Sequence, residues 1–221
     1  MKKKNEKSIR RSLREHQIFL SLEKETFTKE RALKLVITMN RTEAILLLKE
    51  KITEPVLIKH SLAVGAIMKG LATELKEDPE LWEATGILHD IDFQTTKDDH
   101  KQHGILAQEI LKDKLPPESL YAIKAHNHEH TETNPIEKLD FALISSDAVS
   151  GLIIAAALVR PDKQLSEVKV KSITKKFKQK DFARACSRES MMLYEKLGLE
   201  RGKFFEIALE SLKQIHEELY L

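Results

Sequence analysis

The stretch GILHDID, Gly86–Asp92, ends an apolar helical run with three polar side chains, His89, Asp90 and Asp92. Burying a neutral polar group without a partner costs roughly 2–7 kcal/mol, and a charge costs more. A chain that sets a His-Asp pair directly after Ile87 and Leu88 must compensate it. The residues on either side say how.

Working outward, the hydrophobic pattern is helical throughout. EDPELWEATGILHD predicts a short helix from about Pro79 to the motif. Before it, a helix starts near Pro55, a good first-turn proline. Its apolar set is Val56, Leu57, Ala63, Val64, Ile67, Met68 and Leu71, and His60 falls in phase with it. Met39 opens an earlier helix, with Thr42 as its cap and Ala44, Ile45, Leu47 and Leu48 as its stripe. After the motif, FQTTKDDHKQ reads as a polar loop. HGILAQEILKDKL reads as a helix with His103 on the face of Leu106 and Ile110. PPESLYAIKAH reads as another, ending at His126 in phase with Ile123, and NHEHTETNP as a loop. A long apolar helix runs from about Pro135 to Val159, with Asp147 in phase with Leu143 and Ile144. Two or three helices follow, one strongly basic (VKVKSITKKFKQK) and a final amphipathic one from about Lys203 to Leu219. No period-two strand pattern of useful length and no internal repeat occur, so the expected fold class is all-α.

The chain has 221 residues, 41% hydrophobic and 33% charged, enough for one sizeable core. Residues 1–38 hold eleven Lys/Arg against five Asp/Glu. They read as a basic helical extension, solvated rather than a nucleic-acid arm, ahead of a domain at 39–221. Within it, a ligand core spans about 55–160 and C-terminal helices span 161–221. The formal net charge of +2 makes no case for nucleic acid. The run of seven lysines from Lys163 to Lys180 has no interleaved aromatic beyond Phe177, and it reads as a solvated face. The single Cys186 excludes an intramolecular disulfide and fits a reducing, cytoplasmic setting. IFLSL is too short and too charged at its flanks for a signal peptide. FALISSDAVSGLIIAAALV, Phe141–Val159, is long and apolar, but Asp147 lies inside it. A central carboxylate is expensive in a bilayer, so a buried core helix is the better reading and no membrane is expected.

Seven of the nine histidines lie between His60 and His130. Three of them, His60, His103 and His126, are in phase with apolar faces. With His89-Asp90 and Asp147 they come from five helices or helix ends, and such side chains can converge inside a bundle. Asp90, at a helix C-terminal end, is unfavourable toward the helix dipole and needs a reason. Imidazole and carboxylate are ligands for borderline divalent ions, and a cation would keep buried carboxylates ionised. The absence of cysteine argues against a structural zinc site and for an open, catalytic one. His100, His128 and His130 lie in polar stretches and read as surface residues.

The order His60, His89-Asp90, His126, Asp147 resembles the HD-domain superfamily of metal-dependent phosphohydrolases. ILHDID is close to its LLHDIG-type motif, and HGILAQEIL and IKAHNHE resemble elements of the HDIG-type branch. The resemblance covers about residues 40–160. It implies a multi-helix bundle with His60, His89, Asp90 and Asp147 on one divalent ion. Asp90 would bridge to a second ion held by His103 and His126. Mn, Fe, Co, Ni, Zn and Mg are not distinguished, nor is one ion from two. The implied reaction is hydrolysis of a phosphate ester of a nucleotide or related small molecule, with Asp90 or Asp92 orienting the water. Nucleic acid is the less favoured substrate, and the oligomeric state is open. Many relatives have Gly and then Lys where this chain has Asp92 and Phe93, so a phosphate contact is vacant or moves to Lys97, Lys124 or Arg160. Two rival outcomes are a di-iron oxygenase on the same scaffold and a nucleotide- or metal-binding module without turnover.

Overall fold

Asn40 starts the first helix of the computed structural model, which describes residues 39–221; the expected basic extension at 1–38 lies outside the described residues. In α1 (Arg41–Lys51) the Asn40 side chain accepts the Glu43 N–H at 3.0 Å, and Glu43 accepts the Asn40 N–H at 2.9 Å. This reciprocal box satisfies two free donors of the first turn, so the cap is Asn40 and not Thr42. Pro55 opens α2 (Pro55–Leu75), and Asp78 caps α3 (Pro79–Leu88) by accepting from Glu80 and Leu81 N–H at 3.0 and 3.1 Å.

One-turn α4 (Phe93–Thr96) and α5 (Ile105–Leu111) follow, then α6 (Pro117–Ala125), one-turn α7 (His128–Thr131) and the long α8 (Lys138–Leu158). The chain closes with α9 (Val170–Phe177), α10 (Arg188–Met192), α11 (Arg201–Gln214) and α12 (His216–Leu219). All regular structure among the described residues is helical. The helix pattern also differs from the sequence reading in its short elements. The stretches expected as loops carry α4 and α7, and the last helix breaks at Ile215.

The core is the packing of α2 against α3, α8 and α11. Ile67, Met68, Leu71, Leu88, Leu143, Val149, Leu152 and Phe204 are all fully buried. Each such side chain contributes about 1.5–3 kcal/mol of burial energy. Val56, counted with the apolar set of α2, is instead exposed at its first turn. The tightest contact is between two glycines. A Cβ at Gly86 would lie 2.8 Å from the Cα of Gly65, so α2 and α3 meet backbone to backbone. That crossing brings His60 on α2 beside the residues that follow α3.

The helices α2 and α8 are long and apolar enough to cross a membrane by length and composition. The most apolar windows of the two are 56% and 67% buried inside the bundle. Thus α8 is the core helix expected from its central Asp147.

Candidate metal centre

Five segments deliver the six side chains singled out in the sequence. His60 comes from α2, and His89 and Asp90 follow α3 directly. His103 precedes α5, His126 ends α6, and Asp147 lies at the middle of α8. A buried hydrogen bond at 2.8 Å from Thr85 of α3 to Ser119 of α6 helps hold these helices together.

All six converge, and Asp90 is at the centre. Its Oδ2 is 3.6 Å from His60 Nε2. Its Oδ1 lies 3.3, 3.2 and 3.3 Å from the Nε2 atoms of His89, His103 and His126. Asp147 Oδ1 is 3.1 Å from His60 Nε2. Two triplets have donor atoms within 4.8 Å of one another, His60-His89-Asp90 and Asp90-His103-His126. The cluster opens toward His60 and Asp147, whose side chains are 26% and 38% exposed, against 0–12% for the other four.

The four imidazoles share one orientation. His89 Nδ1–H donates to the Gly86 carbonyl at 2.8 Å, and His126 Nδ1–H donates to the Ile123 carbonyl. His103 Nδ1–H donates to Asp92 at 2.8 Å. Ser150 gives its own proton to the Asp147 carbonyl, so its oxygen accepts from His60 Nδ1–H, at 3.4 Å. Each Nδ1 is thereby committed as a donor, and each Nε2 is the atom turned inward. This is the arrangement of metal-ligating histidines, whose second nitrogen donates to a carbonyl or carboxylate.

His89 Nε2 is buried with no hydrogen bond, at a cost of about 1–3 kcal/mol. His103 and His126 point their Nε2 atoms at each other across 3.0 Å. Two lone pairs and a carboxylate oxygen repel at that distance unless a cation or proton lies among them. Burial disfavours charge on His60 and His103, yet Asp147 and Asp90 push His60 up to about 9. Asp90 and Asp92 push His103 up to about 10. Burial would raise Asp90 and Asp147, but the surrounding imidazoles hold both carboxyls below their usual range. Burial pushes His89 down to about 4, so its imidazole stays neutral. The donor set of imidazole and carboxylate fits divalent cations.

Asp92 does not face the cluster's interior, where it was expected to orient water. It is fully buried, and its oxygens accept from His103 Nδ1–H and from the Gly104 and Ala107 amides at 2.8 and 2.9 Å. None of Lys97, Lys124 and Arg160 bonds to the six residues among the described residues. Arg160 closes on Asp162 with two bonds of 3.1 and 3.0 Å. It lies thirteen residues beyond Asp147, roughly 20 Å along the helix direction at 1.5 Å per residue. Lys124 is two residues from His126, a spacing that turns side chains apart on a helix.

His103 also differs from expectation. Gly104, at φ +86°, turns the chain just before α5, so His103 lies outside that helix. The buried face is His103, Ala107 and Leu111 rather than His103, Leu106 and Ile110. Two supporting residues escaped the sequence reading. Ser150 was legible as Asp147's neighbour one turn on. Asn127, whose amide donates to the His100 and His103 carbonyls at 2.7 and 2.9 Å, carried no signal beyond standing next to His126.

Comparison with known proteins agrees with this geometry. The HD domain family matches residues 57–185. Ribonuclease Y of Chlorobium luteolum is 36% identical over 117 residues, covering 51% of this chain and 22% of that protein. Ribonuclease Y of Clostridium kluyveri is 27% identical over 166 residues, covering 73% of this chain and 32% of that protein. The chain thus spans about a third or less of the length of these relatives. No solved structure matches. With the family match covering more than half of its length and the His/Asp cluster assembled at the motif, the chain belongs to the HD-domain family.

Proposed function

We propose that the protein is a metal-dependent phosphohydrolase that cleaves a phosphate ester of a nucleotide or nucleotide-containing substrate. The observation that carries this reading is the common orientation of four imidazoles, each Nδ1 donating outward and each Nε2 aimed at Asp90 or Asp147. His60, His89, Asp90 and Asp147 would hold one divalent ion, and Asp90, His103 and His126 a second. A divalent ion there supplies Lewis acidity toward a phosphoryl oxygen and lowers the pKa of a bound water from 15.7 toward about 7.

The protein's own residues set the geometry. Asp90 stands between the two halves, with Oδ2 toward His60 and Oδ1 toward His89, His103 and His126, which fixes the spacing of the two halves. His89 and His126 are clamped by carbonyls of their own helical turns and do not swing. The exposure of His60 and Asp147 gives substrate and water their approach from that side. His103 and His126 close the opposite side and exclude bulk water.

RNA is a second reading of the substrate, supported by two observations. The relatives are named Ribonuclease Y. An open groove of about 770 Å³ at α9 is lined by Lys169, Lys171, Lys175 and Lys178, cations suited to a phosphate backbone, together with Glu167 and the Asp162-paired Arg160. The test is the full chain, stripped with chelator and reloaded with Mn²⁺, Co²⁺ or Fe²⁺. It is assayed on phosphomonoesters, mono- and cyclic nucleotides, dinucleotides and single-stranded RNA. Turnover that vanishes in Asp90→Asn supports hydrolysis, and the substrate cleaved chooses between the readings. No turnover on any of them, with metal bound, sinks the proposal. Oxygen consumption with a mixed-valent iron signal would replace it by the oxygenase.

A further inference from the structure

We propose that Asp92 is a positioning residue that decides whether the cluster holds two metal ions or one. The proposal rests on the metal-site reading above. It starts from the motif's odd member, a carboxylate with no exposed surface on the far side of His103 from Asp90.

Three donors converge on Asp92: His103 Nδ1–H at 2.8 Å, Gly104 N–H at 2.8 Å and Ala107 N–H at 2.9 Å. A glycine at this position would leave all three without a partner. The two amides explain why a carboxylate suits the start of α5. They do not explain its contact with the histidine. That contact sets the His103 tautomer, because an ionised carboxylate only accepts. With Nδ1 kept as the donor to Asp92, Nε2 is the nitrogen turned to Asp90 at 3.2 Å and His126 at 3.0 Å, the one left to bind a metal.

Charge gives an independent reason. His60, His89, Asp90 and Asp147 include two carboxylates. The half made by Asp90, His103 and His126 has only the shared Asp90 and two imidazoles. Asp92, one imidazole away, adds a negative charge beside that half. A carboxylate behind a ligating histidine fixes its ring and raises its basicity, and losing one weakens metal affinity about 10–100-fold. Asp92 therefore supports the second half specifically and leaves the first untouched.

The decisive variant is Asp92→Asn. Its remaining oxygen can still accept from the Gly104 and Ala107 amides, which preserves the start of α5. Its amide group would face His103 Nδ1 and donate to it. His103 would then carry its proton on Nε2, the atom the metal needs. Calorimetric titration of the chelator-stripped full chain with Mn²⁺ is expected to give two ions in the wild type. In Asp92→Asn it should give one ion with unchanged affinity and a second weakened about 10–100-fold. The spin-coupled Mn²⁺-pair signal should be replaced by that of an isolated ion.

Two ions at wild-type affinity in Asp92→Asn overturn the inference, even if the melting temperature falls. Such a result would leave Asp92 a purely structural cap. If that variant does not fold, nitrogen NMR of the Zn²⁺-loaded wild type decides. His103 protonated at Nδ1 with Nε2 on the metal supports the inference, and the reverse overturns it. A wild type that binds no metal overturns the reading of the site as well.

Discussion

Gly86→Ala tests the contact on which the site's geometry depends. The added methyl group would lie 2.8 Å from Gly65 Cα, 2.9 Å from Gly65 N and 2.9 Å from Met68 Cγ. Carbon atoms pack favourably at about 3.5–4.0 Å, so α2 and α3 must separate by more than about half an ångström. Two of the three obstructing atoms are backbone and cannot rotate away. Overpacking costs about 1–3 kcal/mol, and a backbone clash lies at the upper end. Alanine returns about 1 kcal/mol over glycine in a helix interior, leaving a net loss of about 2 kcal/mol. For a domain of this size, that lowers Tm by about 4–8 °C. The separation also pulls His60 from His89 and Asp90, so metal affinity falls with stability. Gly202→Ala, in α11, is the control. Nothing lies within 4 Å of its added Cβ, so helix propensity alone acts and stability rises by up to about 1 kcal/mol. Chemical and thermal denaturation of the metal-free proteins, followed by metal titration, measures both. A Gly86→Ala protein as stable as wild type, with unchanged metal affinity, refutes the argument.

The remaining predictions concern the cluster and one loop. Asp90→Ala, which removes the oxygens shared by both halves, should abolish both metal sites, whereas His60→Ala and His126→Ala should each weaken one; equal loss from all three in calorimetry contradicts the division. Metal should stabilise the fold by about 2.7 kcal/mol at a hundred times its Kd, and a chelator should reverse this in a thermal melt. An unchanged melt with metal shown bound would mean that native and unfolded chains bind it alike. Arg188 donates to six backbone carbonyls, those of Lys176, Phe177, Gln179, Phe182, Ala183 and Cys186. Arg188→Ala should cost about 2 kcal/mol and open residues 178–187 to proteolysis, with no rescue by Lys, which lacks the planar fork. An uncut loop in that variant would show the carbonyls are held otherwise.

Much of this architecture was legible because a helix writes its buried face into the sequence at a fixed period. His60 and Asp147 could be placed on core faces from their neighbours alone, and both turn into the cluster. The motif's own polarity located Asp90. What escaped depended on backbone geometry or distant partners. The turn at Gly104 moved His103 out of the expected helix, and periodicity is blind to such a turn. The partners of Asp92 are eleven to fifteen residues away, two of them backbone amides that have no sequence signature. Arg160 erred differently. Its partner Asp162, two residues on, was visible, but a nearby carboxylate does not say whether the guanidinium is occupied.

These failures have one cause. Sequence periodicity reports which residues face inward, while the chemistry of a metal site depends on which atom of each residue does. Within this cluster that choice is made by acceptors outside its six residues: two carbonyls one turn back, the Ser150 hydroxyl and the Asp92 carboxylate. Three of the four sit within their histidine's own helical turn or on the Asp147 helix. The fourth, Asp92, belongs to the motif itself and reaches across to another segment. A single substitution there would act on His103 from outside the six-residue cluster, without removing any of the six side chains. If Asp92 acts as proposed, a chain of this kind would change its metal count through residue 92 while keeping all six side chains of the cluster.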